Sequence, residues 1–210
     1  VAPYANLGEV KLRITARAKN ELEAKKIIKP VKEELKKKFS KFIFSENNDN
    51  LSSVLIKELV KRKESLAFAE SCTGGLLSSS ITAISGSSQV FKGSIISYSN
   101  ELKQSLLNVP KNMIKKYGAV SEEVAKTMAI NAKEKLNADW SIAISGIAGP
   151  SGGSKDKPIG LVHIAIASPN DQITNIKKRF GTIRNRIEIQ RLSVNVCLNS
   201  LRLILLSNSK

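Results

Sequence analysis

The chain has 210 residues, of which 41% are hydrophobic and 5% aromatic, and it carries a formal charge of +16. Its length suits a medium domain with a small companion, and its composition excludes a wholly disordered chain. The charge would attract polyanions, but basic residues are spread over both halves and only Lys25–Lys41 is dense; aromatics are too scarce for stacking platforms, so nucleic acid is not the expected partner.

Uninterrupted apolar runs fall short of the roughly 18 residues of a membrane helix. The longest candidate, SVNVCLNSLRLILLS, is broken by Asn195, Asn199 and Arg202 and reads as an amphipathic core helix. No membrane association is expected. Cys72 and Cys197 lie far apart and form no CxxC, which suggests neither a disulfide framework nor a zinc site and makes a reducing cytoplasm the expected setting.

In chain order, EVKLRITAR (9–17) alternates apolar and polar residues as a half-buried strand does. Helical spacing runs from Glu21 to Phe39, with Pro30 expected to kink or break it. Phe42–Phe44 reads as a second short strand, and the polar SENNDN that follows as a linker. Residues 1–46 are therefore expected to form a small α+β segment, and residues 50–210 a separate domain. From Asn50 a helix leads into the strand SLAFAE, a glycine turn, an apolar helix and the strand GSIISYS. Asn100 is expected to cap the next helix, which Pro110 stops; Ser121 caps another that runs to Leu136, with Glu122 and Glu123 in its first turn. The strand WSIAISG, a long loop, the strand IGLVHIAIAS, the strand TNIKKRFG and a helix from Arg184 complete the chain. This alternation predicts an α/β fold, a three-layer sandwich around a central, mostly parallel sheet, preceded by the small α+β segment.

Ligands of such sheets bind beyond the carboxyl ends of the strands. Two loops occupy that position. In Glu70-Ser71-Cys72-Thr73-Gly74-Gly75, the amides of a helix start could hold an oxyanion beside a Ser71 nucleophile; equally, Ser71 or Thr73 could merely cap the helix. Spacing alone leaves both readings open. The second loop, Gly146 to Ser154, offers Gly146, Gly149, Gly152, Gly153, Ser151 and Ser154 as donors that could wrap a phosphate, although it is neither a Walker loop nor GxGxxG. Between them, Tyr98-Ser99-Asn100 leads to Lys103 in the first turn of a helix, where the dipole favours a neutral amine able to take a proton from a serine; taken alone, a surface lysine on a helix is the simpler reading. The single histidine, His163, falls in mid-strand, where a packing role is the simpler reading.

Four motifs, AESCTGG, GSIISYSNELK, GAVSEEVA and SIAISGIAGPSGGSKDKPIGLVHIA, stand in this order from about Asn50 onward. The chain there resembles the C-terminal domain of the competence-damage-inducible CinA family. The resemblance implies a nicotinamide-nucleotide amidase that converts nicotinamide mononucleotide to nicotinate mononucleotide and ammonia without a cofactor or metal. It implies Ser71 as nucleophile, Lys103 as general base and Tyr98 as an assisting hydroxyl. Cys72, Thr73, Gly74, Gly75 and Asn100 would line the substrate together with the 146–154 loop. Arg184 would neutralise the phosphate, with Arg186 and Lys155 as further candidates. Residues 1–46 are similar to the family's middle domain, so a further nucleotide-binding domain ahead of Val1 and assembly into a homo-oligomer are expected. Where many relatives carry a second arginine this chain has Glu188, which Arg186 or Arg191 would have to replace. The alternative to catalysis is a nucleotide-binding scaffold that has lost turnover.

Overall fold

The computed structural model describes residues 1–207 and divides into two compact units, Val1–Asn50 and Leu51 onward. In the first unit, β1 (Ala2–Asn6) and β2 (Glu9–Arg13) form an antiparallel hairpin closed through Gly8 at φ +84°. The left-handed backbone there suits a residue without Cβ. The alternation read over 9–17 therefore ends at Arg13, and both strands of the hairpin are exposed rather than half-buried. Helix α1 (Glu21–Phe39) starts at Asn20, whose side chain accepts from the Glu23 amide at 2.9 Å. It runs unbroken through Pro30, and no residue of it is buried. Phe42–Phe44 is not a strand: Lys41 and Phe42 make a turn on the Phe39 carbonyl, and extended chain follows.

The second unit is layered. Helix α2 (Leu51–Arg62) precedes β3 (Leu66–Glu70), α3 (Leu76–Thr82), β4 (Phe91–Ile96), α4 (Asn100–Leu107), α5 (Lys111–Tyr117) and α6 (Glu122–Lys135); then come β5 (Trp140–Gly146), β6 (Leu161–Ala167), β7 (Ile173–Arg179) and α7 (Arg186–Ser207). The sheet order is β4-β3-β5-β6-β7, parallel among β4, β3 and β5 and antiparallel from β5 to β7. The layered α/β architecture is the one the sequence predicts, with β6 and β7 as an antiparallel extension. Three strands thus end at one edge, where their following loops meet.

The two faces of the sheet differ in side-chain volume. Ala69, Ala143 and Ala165 lie side by side in register, and α6 brings its own Ala125, Ala129 and Ala132 to the same cluster. Small residues on both partners let helix and sheet approach closely. The alternate positions carry Phe68, Ile142, Ile144, Ile164 and Ile166, all buried, as the period of two requires. Met128, fully buried on α6, anchors the alanine side; truncating such a side chain typically costs about 2–5 kcal/mol. Helix α7 meets a membrane span's length and composition, but Ile189, Val194, Cys197, Leu198, Leu201 and Leu205 are buried within its own unit, as in a core helix.

Two caps differ from expectation. Ser99, not Asn100, caps α4: its hydroxyl accepts from the Leu102 amide at 3.2 Å. Pro110 does not stop α4, which ends earlier, at Leu107, on a left-handed Asn108 (φ +49°); Pro110 instead precedes the unforeseen α5. Ser121 caps α6, accepting from the Val124 amide.

Candidate active site

The carboxyl ends of β3, β4 and β5 border a cleft of about 180 Å³. Ser71, Cys72, Lys103, Ser145 and Gly146 line it together with Tyr98, Asn100, Ala119, Val120, Ala148 and Arg186. The structure therefore brings together Ser71, Cys72, Tyr98, Asn100, Lys103 and Gly146, which the sequence analysis singled out from three separate stretches.

At the centre, Lys103 Nζ stands 3.0 Å from Ser71 Oγ. The same nitrogen donates to the carbonyls of Ser97 at 2.7 Å and Tyr98 at 3.4 Å. Lys103 is only 1% exposed. Burial, the largest influence, pushes its pKa below the ordinary lysine value, while Cys72 and Glu101 pull more weakly the other way. An uncharged amine has two N–H bonds and one lone pair; two carbonyls and one hydroxyl surround this nitrogen. The arrangement suits a base poised to accept the Ser71 proton.

The adjacent Cys72 is a poor rival for the nucleophile. Its thiol is buried, and burial pushes its pKa up to about 12, so thiolate is scarce. Its carbonyl accepts from the Gln190 side chain at 2.8 Å, which ties α7 to the turn. His163 is absent from the cleft lining. It pairs across the sheet with Ser145 and Lys177, and burial followed by the Lys177 charge lowers its pKa.

The expected oxyanion donors require correction. Glu70 is fully buried, and its carboxylate accepts from the amides of Gly75 at 3.0 Å, Leu77 at 3.1 Å and Ser78 at 2.8 Å, and from the Ser78 hydroxyl. The helix-start amides are therefore already engaged by a side chain of the protein. The signal was present in the sequence, as an acid ahead of a helix start, but the serine beside it drew attention first. Thr73 is buried outside the cleft lining with its hydroxyl unpartnered, and Gly74 and Gly75 take φ +60° and +100° to shape the turn.

Arg184 also requires correction. It is exposed, donates to the Phe180 carbonyl and does not line the cleft. Arg186, two residues on, is the cleft's arginine. It donates to the Gly149 carbonyl at 2.9 Å and to the Tyr98 hydroxyl at 2.7 Å, joining the start of α7 to two loops. Tyr98 thus offers its backbone carbonyl to Lys103 and its hydroxyl to Arg186. Glu188 has a structural task that explains its presence: it accepts from the Asn185 amide at 2.9 Å while the Asn185 side chain accepts from the Glu188 amide at 3.0 Å. This reciprocal capping box starts α7 and was legible as Asn-x-x-Glu.

The glycine-rich loop is only partly in the cleft. Gly146 lines it, and a Cβ there would lie 2.7 Å from Val162 Cγ2 and 2.9 Å from the Leu161 carbonyl, so only glycine fits. Ser151, Gly152, Gly153, Ser154 and Lys155 are exposed and outside the lining. Ser154 is occupied in a local turn, its hydroxyl accepting from the Lys157 amide. Lys157 reaches back to the carbonyls of Tyr117 and Val120, and Ser145 Oγ donates to the Ala119 carbonyl at 2.8 Å. These bonds hold the Ala119–Val120 wall, which the sequence analysis did not single out: an apolar pair in a loop carries no local signal of a cleft.

Comparison with known proteins follows the same division. A model described as the CinA C-terminal domain matches residues 48–205. The chain belongs to the CinA family. Residues 1–45 match the damage-inducible protein CinA KH domain. A CinA-like protein of Prochlorococcus marinus subsp. pastoris is 84% identical over all 210 residues, and one from a Synechococcus species is 49% identical over 203 residues. The chain spans about half the length of these curated CinA relatives, 48% in each case. Among solved structures, the competence/damage inducible protein CihA of Agrobacterium tumefaciens is 37% identical with a TM-score of 0.71, covering 73% of this chain and 93% of that one. A CinA superfamily protein of Escherichia coli is 30% identical with a TM-score of 0.70, covering 79% and 98%.

Proposed function

We propose that the CinA C-terminal unit is an amidohydrolase that converts nicotinamide mononucleotide to nicotinate mononucleotide and ammonia, with Ser71 as nucleophile and Lys103 as base. The observation that carries this reading is the buried Lys103 amine, 3.0 Å from Ser71 Oγ and otherwise facing carbonyls. A serine hydroxyl needs a neighbouring base to attack an amide, and a lysine serves only when it is neutral near working pH. Here burial shifts Lys103 in that direction.

Ser71 Oγ attacks the carboxamide carbon as its proton passes to Lys103 Nζ. Backbone amides of the turn stabilise the oxyanion. The C–N bond breaks, and the leaving nitrogen takes the proton from Lys103 and departs as ammonia. Water, deprotonated by Lys103, then attacks the acyl ester; the acid leaves and Ser71 regains its proton. Arg186 lies at the rim as the cation for the substrate's phosphate, and Ala119, Val120 and Ala148 offer apolar surface for the pyridine ring.

The test is ammonia release from nicotinamide mononucleotide by the full chain, by Ser71→Ala and by Lys103→Ala. The expected outcome is turnover in the parent and a loss of about 10⁴-fold or more in Ser71→Ala. Turnover that survives Ser71→Ala would remove the nucleophile assignment. A parent that binds the nucleotide without releasing ammonia would instead favour the scaffold reading.

A further inference from the structure

In the segment from Ser71 to Ser78, almost every backbone amide has an oxygen acceptor. The Ser71 amide donates to the Ile144 carbonyl, Gly74 to Ser71 and Leu76 to Thr73. Gly75, Leu77 and Ser78 donate to Glu70. The amides of Cys72 and Thr73 have no oxygen acceptor among the described residues; the Cys72 amide meets only its own thiol, and of the two residues Cys72 lines the cleft. Cys72 immediately follows the proposed nucleophile, the position from which an oxyanion donor is commonly supplied in serine hydrolases.

We infer that Glu70 is a positioning residue that aims the Cys72 amide at the reaction's oxyanion. The inference rests on the amidase reading and deepens it. Glu70 is the last residue of β3 and holds the far end of the turn through four donors, so both ends of the Ser71–Ser78 segment are fixed to the strand that delivers the serine. The Glu70 carbonyl accepts from the Ser97 amide at 2.8 Å, which joins the same residue to the chain leading to Lys103. By occupying the α3 amides, the carboxylate also removes a competing anion site. It touches neither substrate nor Lys103, and acts only through the turn.

Glu70→Gln keeps the side-chain volume but turns an N–H₂ group toward backbone donors. With nicotinamide mononucleotide as substrate and rates normalised to folded protein by near-ultraviolet circular dichroism, kcat should fall about 10- to 100-fold, the scale of a misplaced or lost oxyanion donor. KM should change by less than about twofold, since the trigonal ground state makes little use of this amide. The acid limb of the pH profile should stay in place because Lys103 is untouched. Affinity for pyridine-3-boronic acid, which forms a tetrahedral anionic adduct on serine, should fall with kcat, while affinity for nicotinate mononucleotide should hold. Ser78→Ala, which removes one of the four donors, should move kcat in the same direction by less. Parental kcat in folded Glu70→Gln, a displaced acid limb, or equal loss of boronate and product affinity would each overturn the inference. If Glu70→Gln fails to fold, parental kcat and boronate affinity in Ser78→Ala would overturn it. A parent that hydrolyses no nicotinamide mononucleotide defeats the amidase reading itself before any variant is compared.

Discussion

The two glycine-bearing loops at the carboxyl edge of the sheet are alike in composition and opposite in organisation. The Ser71 turn is short, internally hydrogen-bonded and anchored by a buried carboxylate. The 147–160 loop is long; its Ser151–Asp156 stretch is exposed, and it meets the site through Ala148 and the Gly149 carbonyl. Glycine in the first lets a turn close around a reacting group; in the second it lets chain pass between packed elements. The difference teaches that glycine and serine content marks where backbone can approach a ligand, while the hydrogen bonds already made decide which amides remain to do so.

The largest expected effect tests the first loop's chemistry. Lys103→Met, similar in length but unable to accept a proton, should lower kcat by about 10²- to 10⁴-fold. In the parent, kcat/KM should rise with pH through the lowered Lys103 pKa, because the neutral amine is the active form and burial makes it available below the ordinary lysine range. A profile without that limb would separate Lys103 from the chemistry. Next in size, Arg186→Ala should raise KM for the mononucleotide about 10- to 100-fold, with a much smaller change for nicotinamide riboside, which lacks the phosphate. Arg184→Ala should leave both constants within about twofold, since that side chain faces the Phe180 carbonyl. The reverse ranking would return the phosphate to Arg184. The smallest effect is on stability. Gly146→Ala places a methyl against Val162 and the Leu161 carbonyl and should cost about 1–3 kcal/mol. At Gly152 a methyl would meet only Ile147 Cγ2 at 4.0 Å, and the residual cost of φ +87° is about 1–2 kcal/mol. Urea unfolding of the two variants would show whether the loop is tight only where it enters the cleft.

Much of the second unit was legible because its signals are periodic. Buried strands such as Leu66–Glu70 and Trp140–Gly146 are short, mostly apolar stretches between turn residues, and α6 announces itself with Ser121 and two glutamates. Lys103 could be nominated because it falls in the first turn of a helix that follows a strand. The first unit was harder. The alternation of Val10, Leu12 and Ile14 looked like a half-buried strand, yet the paired strand stops at Arg13 and is exposed. Periodicity indicates which side chains share a face, without saying what covers that face. Phe42–Phe44 failed for a related reason: three residues of high strand propensity form a strand only if a partner pairs with them.

The sequence by itself determined most of the second unit's strands and helices, the layered α/β class and the family resemblance, and it nominated the serine and the lysine, all of which depend on local pattern or on the order of motifs. Only the tertiary structure decided that Arg186 rather than Arg184 lines the cleft, that Glu188 caps α7, and that Glu70 occupies the amides at the start of α3. These are questions of which donor meets which acceptor. A hydrogen bond is settled within about 3 Å and at a favoured angle, and residues two apart in sequence can face opposite ways until the packing of neighbouring elements fixes them.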